Sequence, residues 1–153
     1  MKKFVAVLLA AVLCLSFAAC GGDKATDKTV DAAAMFQALL TDVTYTDNAT
    51  ELDSSMAGVL LGDELPDGTE AYLAANDSAY LRCAVFACKD KDAAAAVKKL
   101  IQTYIDDSID AKYNVDEVAL LQNAKIHSMG NYVAVAVTSD TDNVNKVIDQ
   151  YFA

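Results

Sequence analysis

One histidine, one proline and a shortage of basic residues set the first limits on this 153-residue chain. Nucleophilic hydrolysis normally places a histidine base beside its nucleophile, and His127 is the only one available. It falls in a strand-like stretch where Ile126 and Ser128 take the opposite face and Lys125 and Met129 share its own, so it reads as a partly solvated strand histidine. Zinc centres need three or four cysteine and histidine ligands, and no such cluster occurs. Neither G-x-x-x-x-G-K nor G-x-G-x-x-G is present, so no phosphate cradle is coded. Lys and Arg total 12 against 22 Asp and Glu, a net charge of −10. That balance argues against nucleic-acid partners, which are held by cations on phosphates, and against electrostatic docking on anionic lipid headgroups.

Long apolar runs are also scarce. The one that exists follows Met1, Lys2 and Lys3 and extends from Phe4 to Ala19, interrupted by Ser16. A basic start, an apolar stretch and small residues before a cut site describe a secretory signal. It is shorter than the roughly 20 residues that a spanning helix needs. Ordinary signal cleavage after Ala19 is poorly served by Phe17 at the third-last position. Ala18-Ala19-Cys20-Gly21 instead resembles the lipobox of bacterial lipoproteins, although Phe17 stands where that pattern has an aliphatic residue. The resemblance implies a diacylglyceryl group on the Cys20 thiol and cleavage before it. A secreted protein without lipid is the alternative. The expected organisation is a signal peptide over 1–19, a lipidated cysteine and polar tether over 20–29, and one domain over 30–153. Losing Lys2 and Lys3 takes the net charge from −10 to −12, so a covalent anchor is what would hold this protein at a membrane.

Of the four cysteines, only Cys83 and Cys88 belong to the expected domain. Both lie in "AYLRCAVFACK", which reads as a strand. Five strand residues separate Cα atoms by roughly 16 Å, whereas a disulfide spans about 4.4–6.8 Å. Their odd spacing also sets them on opposite faces, so they read as small apolar residues rather than a redox pair.

The remaining pattern predicts a helix over roughly 30–40 capped by Thr29, with Ala32, Met35, Phe36, Leu39 and Leu40 on one face. A shorter helix starts at Asp53, carries Met56, Val59 and Leu60, and stops at Gly62. "EAYLAA" and "AYLRCAVFACK" form a hairpin about Asn76-Asp77-Ser78, with Leu81, Cys83, Val85 and Ala87 on the buried face. Asp90 or Asp92 caps a long helix with Val97, Leu100, Ile101, Tyr104 and Ile105 as its stripe. Asn114 and Glu117 suggest a capping box, with Tyr113 and Val118 as its staple. A second hairpin turns at Gly130-Asn131, and a last helix opens at Asp140. A shift of fifty residues lays "AVFACKDKDAAAAV" over "AVAVTSDTDNVNKV", which is either a true repeat or two similar strand–cap–helix junctions. The expected fold is α+β: a four-stranded, mainly antiparallel sheet in ββαββα order with helices on one face, preceded by two short N-terminal helices.

"AVFACKDKDAAAAVKKL", the Tyr113 to Glu117 helix start and "GNYVAVAV" together resemble bacterial lipoproteins of the domain of unknown function 4358 family, over about Tyr80 to Asp149. The resemblance implies a lipid-anchored extracytoplasmic domain and supplies no activity, cofactor or site residue. Clustered carboxylates, Asp63, Glu64, Asp67 and Glu70, then Asp140 and Asp142, miss the calcium-loop pattern because Leu65 takes a ligand position. They read as solvated loop groups and helix caps. The expected function is a non-catalytic binding or interaction module at the cell envelope, with an envelope protein or a small ligand as partner. The alternative is a small carboxylate-based hydrolase of cell-wall sugars or peptides, which requires two carboxyl groups facing across a cleft.

Overall fold

Seven of the eight residues from Leu81 to Cys88 are apolar, on both alternating sets. A strand of that kind must be covered on both faces. The computed structural model describes residues 29–111 and 114–153, and in it this run lies at the middle of a sheet with helices on either side. The strands are β1 (Thr50–Leu52), β2 (Glu70–Ala75), β3 (Leu81–Ala87), β4 (Lys125–Met129) and β5 (Tyr132–Ala136), all paired antiparallel in the order β1-β2-β3-β5-β4. The helices are α1 (Ala32–Asp42), α2 (Met56–Leu61), α3 (Lys91–Ala111), α4 (Val115–Asn123) and α5 (Thr141–Phe152).

Two cores result. On one face, Met35, Phe36 and Leu39 of α1 and Val144, Val147 and Ile148 of α5 pack on Cys83, Val85, Ala134 and Ala136. On the other, Leu61 of α2, Val97 and Ile101 of α3 and Leu121 of α4 pack on Leu73, Ala84, Phe86, Val133 and Val135. Phe36 and Phe86 are the largest apolar side chains fully buried in their respective layers.

The α+β class and the antiparallel sheet are as expected, but the finer architecture is different. The sheet has five strands rather than four, helices cover both faces rather than one, and the order is αβαββααββα rather than two helices followed by ββαββα. β1 is only three residues long, too short to show an alternating pattern. The second helical layer was foreshadowed by the alternate positions of β3 and β5: Ala84 and Phe86 between the cysteine and valine set, Ala134 and Ala136 between the valines. Leu81 also joins the opposite core from Cys83 and Val85. The cause is a bulge: the register runs Ala74 to Cys83 but Ala75 to Leu81, leaving Arg82 as the extra residue and breaking the alternation there.

Local signals fared better at the element ends. Gly62 closes α2 at φ 79° and Gly130 opens the β4–β5 turn at φ 58°, both left-handed positions that favour glycine. Asp90 caps α3 through its side chain, which accepts from the Ala93 amide at 2.8 Å. The cap of α1 is Asp31 rather than Thr29, accepting from the Ala34 amide at 2.9 Å, so the helix starts and ends two residues later than expected.

The fifty-residue shift does not describe a structural repeat. The hairpins β2–β3 and β4–β5 meet back to back at β3 and β5, as a two-fold axis normal to the sheet would place them. That axis would carry α3 and α5 to the same face, and they lie on opposite faces. The likeness is that of two strand–cap–helix junctions.

Candidate functional site

The α2 helix has six residues and two unlike sides. Ala57 and Leu61, spaced i and i+4, are buried against the sheet. Met56 and Val59, which the expected helix carries, are 42 % and 73 % exposed. They stand at the mouth of a groove of about 550 Å³ whose apolar walls are Leu52, Met56, Val59 and Leu60 on one side and Tyr80 and Tyr104 on the other. Isolated exposed apolar residues need no explanation, but a continuous apolar groove with exposed lips does.

One end of the groove is the β2–β3 turn. Asn76 organises it, its side-chain oxygen accepting from the Ser78 amide at 3.1 Å and the Tyr80 amide at 2.9 Å. Ala79 sits at φ 62°, a left-handed conformation that an L-residue with a Cβ adopts at a cost. Hydrogen bonds within Asn76–Tyr80 therefore hold the turn against that backbone preference. Tyr104 of α3 closes the floor, its hydroxyl accepting from the Leu81 amide at 3.0 Å. Burial pushes its pKa up, so the hydroxyl stays protonated.

Behind this end lies the structure's most concentrated charge. Arg82, at the β3 bulge, is 1 % exposed. Its Nε and Nη2 donate to Asp47 Oδ1 and Oδ2 at 2.6 and 2.9 Å. Nη1 and Nη2 donate to Glu117 Oε1 and Oε2 at 2.8 and 2.9 Å, and Nη1 also donates to the Leu81 carbonyl at 3.2 Å. All five guanidinium N–H groups are thereby used, in two bidentate pairs. Burial opposes the charge on Arg82, yet the hydrogen bonds to Asp47 and Glu117 outweigh it and push the pKa further up. Asn76 Nδ2 donates to Asp47 Oδ2 at 2.7 Å, which joins the groove's turn to this cluster.

Glu117 was expected to reach back to the start of α4 in a capping box. Asn114 does cap that helix, accepting from the Asp116 amide at 2.9 Å, but Glu117 turns inward to Arg82 instead. A buried guanidinium competes more strongly for a carboxylate than an exposed backbone amide does. Tyr113, the expected staple partner, lies outside the described residues.

The hydrogen bonds from Arg82, with that from Asn76 in support, hold the Asp47 carboxyl down to a pKa of about 2 from 3.8. Because the folded value lies below the unfolded one, the stabilisation is complete above about pH 4 and is lost as the pH falls towards 2. Asp47 is 41 % exposed, so solvent screening reduces the effect to about 1 kcal/mol. Unfolding free energies from urea titrations between about pH 5 and pH 2 should fall further in the parent than in Asp47→Asn, by that amount. Parallel pH profiles for the two proteins would contradict the assignment.

The residues singled out in the sequence do not converge on this site. Cys83 and Cys88 are free, buried and in opposite cores, as their spacing implies. Burial raises the Cys83 thiol to about 11, so it is not a nucleophile near neutrality. His127 is half-buried on edge strand β4, on the α5 face, and its Nε2 has no hydrogen-bond partner among the described residues. Burial and Lys125 lower its pKa against an opposing pull from Asp149. Asp63, Glu64, Asp67 and Glu70 are exposed along the α2–β2 loop and the start of β2. Asp140 accepts from the Thr44 amide and from Asn143, each at 2.9 Å, tying the loop after α1 to α5. Among the described residues no three Cys, His, Asp or Glu side chains are grouped to hold a metal, and no helix is long and apolar enough to cross a membrane. Cys20, the expected lipidation point, lies outside the described residues together with the whole 1–28 segment.

Sequence reasoning missed Arg82 and Asp47, and it placed Met56 and Val59 on a helix without assigning them a role. A signal for Arg82 existed: it is the chain's only arginine, set in an otherwise apolar strand, and a buried cation demands partners.

Residues 63–138 belong to the family described as Domain of unknown function (DUF4358). The matched segment begins before and ends earlier than the stretch whose resemblance was legible in the sequence. It includes Arg82, Glu117 and the Asn76–Tyr80 and Tyr104 side of the groove, while Asp47 and the β1–α2 side precede it. No curated protein and no solved structure matches the chain.

Proposed function

We propose that this chain, a DUF4358 protein through residues 63–138, is a lipid-anchored extracytoplasmic binding module. In this reading Cys20 carries a diacylglyceryl group, residues 20–29 are the tether, and the groove between α2 and α3 receives a partner. The observation that carries the binding role is the exposure of Val59 and Met56 at the lip of an apolar groove. Burying such a lip against a partner recovers hydrophobic free energy that the isolated domain leaves unrealised. The sequence before Cys20 supports the anchor, and a short polar tether would leave the domain within about 30 Å of a bilayer.

A carboxylate hydrolase is less well supported. It calls for a carboxyl group with a raised pKa in a cleft, whereas the carboxyls that are shifted, at Asp47, Asp53 and Asp140, all shift down. Those of Asp47 and Glu117 are both turned onto Arg82.

A photoreactive residue in place of Val59, activated on whole cells of the native host, tests both halves together. The expected result is a covalent adduct with a second protein, on a chain whose mass begins at Cys20 and includes a diacylglyceryl group. Repeated recovery of the uncoupled monomer would sink the binding role. An unlipidated mass would sink the anchor.

A further inference from the structure

We infer that the α2–α3 groove is built for an apolar peptide segment flanked by lysine or arginine, supplied by another protein; this rests on the binding-module reading and names its ligand. The groove carries two separable properties. Its walls are apolar, from Leu52, Val59 and Leu60 across to Tyr80 and Tyr104, and its volume of about 550 Å³ falls within the roughly 300–1,000 Å³ range of ligand pockets. That suits one or two large apolar side chains and is too small for an entire helix.

Among the described residues the groove's charge has a single sign: no lysine or arginine lines it, and Asp77 does. Asp53 is exposed just ahead of α2, and Asp107 is exposed on α3, one turn beyond Tyr104 and adjacent to Ser108 of the lining. The lysines of α3 lie elsewhere: Lys98 lines a different depression, with Gln102, Ile105 and Ile126. A ligand with cations flanking its apolar anchor is attracted by Asp77 and the exposed carboxylates nearby, while one with anions is repelled.

The same charge pattern disfavours other occupants. A second copy would present its own acidic rim to the first. Residues 21–28 offer Ala25 as their sole apolar side chain, and the chain enters the described fold through Val30, which packs in the α1/α5 layer on the far side of the sheet. Anionic lipid is repelled as an anionic peptide is.

Three labelled hexapeptides separate the contributions: Lys-Lys-Leu-Phe-Lys-Lys, Glu-Glu-Leu-Phe-Glu-Glu and Lys-Lys-Ser-Ser-Lys-Lys. Their binding to the full chain in neutral detergent would be read by fluorescence anisotropy, with empty micelles as the blank. The Leu-Phe peptide with lysine flanks should bind at least about tenfold more tightly than either of the others, and salt should weaken it. Val59→Ser, at a position too exposed to affect folding, should weaken it about fivefold or more with the thermal midpoint unchanged. Equal binding of the glutamate peptide, equal binding of the serine peptide, or indifference to Val59→Ser would overturn the assignment. So would a concentration-dependent dimer, seen by sedimentation, that Val59→Ser abolishes. If no hexapeptide binds while position 59 still cross-links a protein on cells, the ligand chemistry is wrong and the binding role stands. If both fail, both fall.

Discussion

Glu117→Ala should destabilise the domain by about 3–5 kcal/mol, the cost of removing one partner from a buried ion pair. The size follows from the geometry. Arg82 is 1 % exposed and Glu117 is 7 % exposed, so the two Glu117 hydrogen bonds at 2.8 and 2.9 Å have no water to replace them. Asp47 keeps its own two bonds to the guanidinium, which places the loss towards the lower end. Set against a typical domain stability of about 5–15 kcal/mol, this is a large fraction. Urea titration would show the midpoint fall with little change in slope. The double variant Arg82→Met with Glu117→Leu provides the control. It removes both buried charges and leaves Asp47, which is 41 % exposed and can be solvated. Its stability should return to within about 1–2 kcal/mol of the parent. A double variant as unstable as Glu117→Ala would mean that shape, not charge pairing, sets the cost.

Phe36→Ala tests the second helical layer. Phe36 of α1 is fully buried beside Met35 and Leu39, against the sheet face that carries Cys83 and Val85. Truncating a buried phenylalanine costs about 3–5 kcal/mol, partly lost transfer free energy and partly the cavity left behind. α1 and α5 lie outside the segment matched to the family, before and after it, so their cohesion with the rest is a real question. Ala134 and Ala136 of β5 and Cys83 and Val85 of β3 are sealed only by this layer. Its loss would expose the middle of the sheet. A single cooperative transition is therefore expected, with far-ultraviolet circular dichroism and tyrosine fluorescence moving together. Early melting of one layer, with the other left intact, would show two independent units.

Much of the local architecture was legible in the residues. Gly62 and Gly130 marked a helix end and a hairpin turn because left-handed backbone is cheap only without a Cβ. Asp90 and Asn114 marked helix starts because a short acceptor side chain can satisfy an amide with no helical partner. β1 was illegible because three residues carry no period. The one-layer expectation failed for a different reason: Ala134 and Ala136 alternate with valines, and residues this small leave room for a helix to approach closely on their side of the sheet. Glu117 was misassigned because it satisfies a local motif and a distant partner equally well on paper. The groove was missed because Met56, Val59 and Leu60 follow helical spacing, and spacing cannot say whether an apolar side is covered.

The sequence by itself determined the acidic balance, the mixed class of structure, the two main hairpins, the stop of α2, the starts of α3, α4 and α5, and the family of residues 63–138. These depend on chemistry within a few residues of each position or on the chain as a whole. Tertiary structure alone decided that the sheet is covered twice, that a bulge at Arg82 turns Leu81 to the other core, and that Arg82 gathers Asp47 and Glu117. Each of those carboxylates is 35 residues away from it along the chain. Their meeting depends on where the bulge, the loop after α1 and the start of α4 arrive in space, and local periodicity holds no record of that.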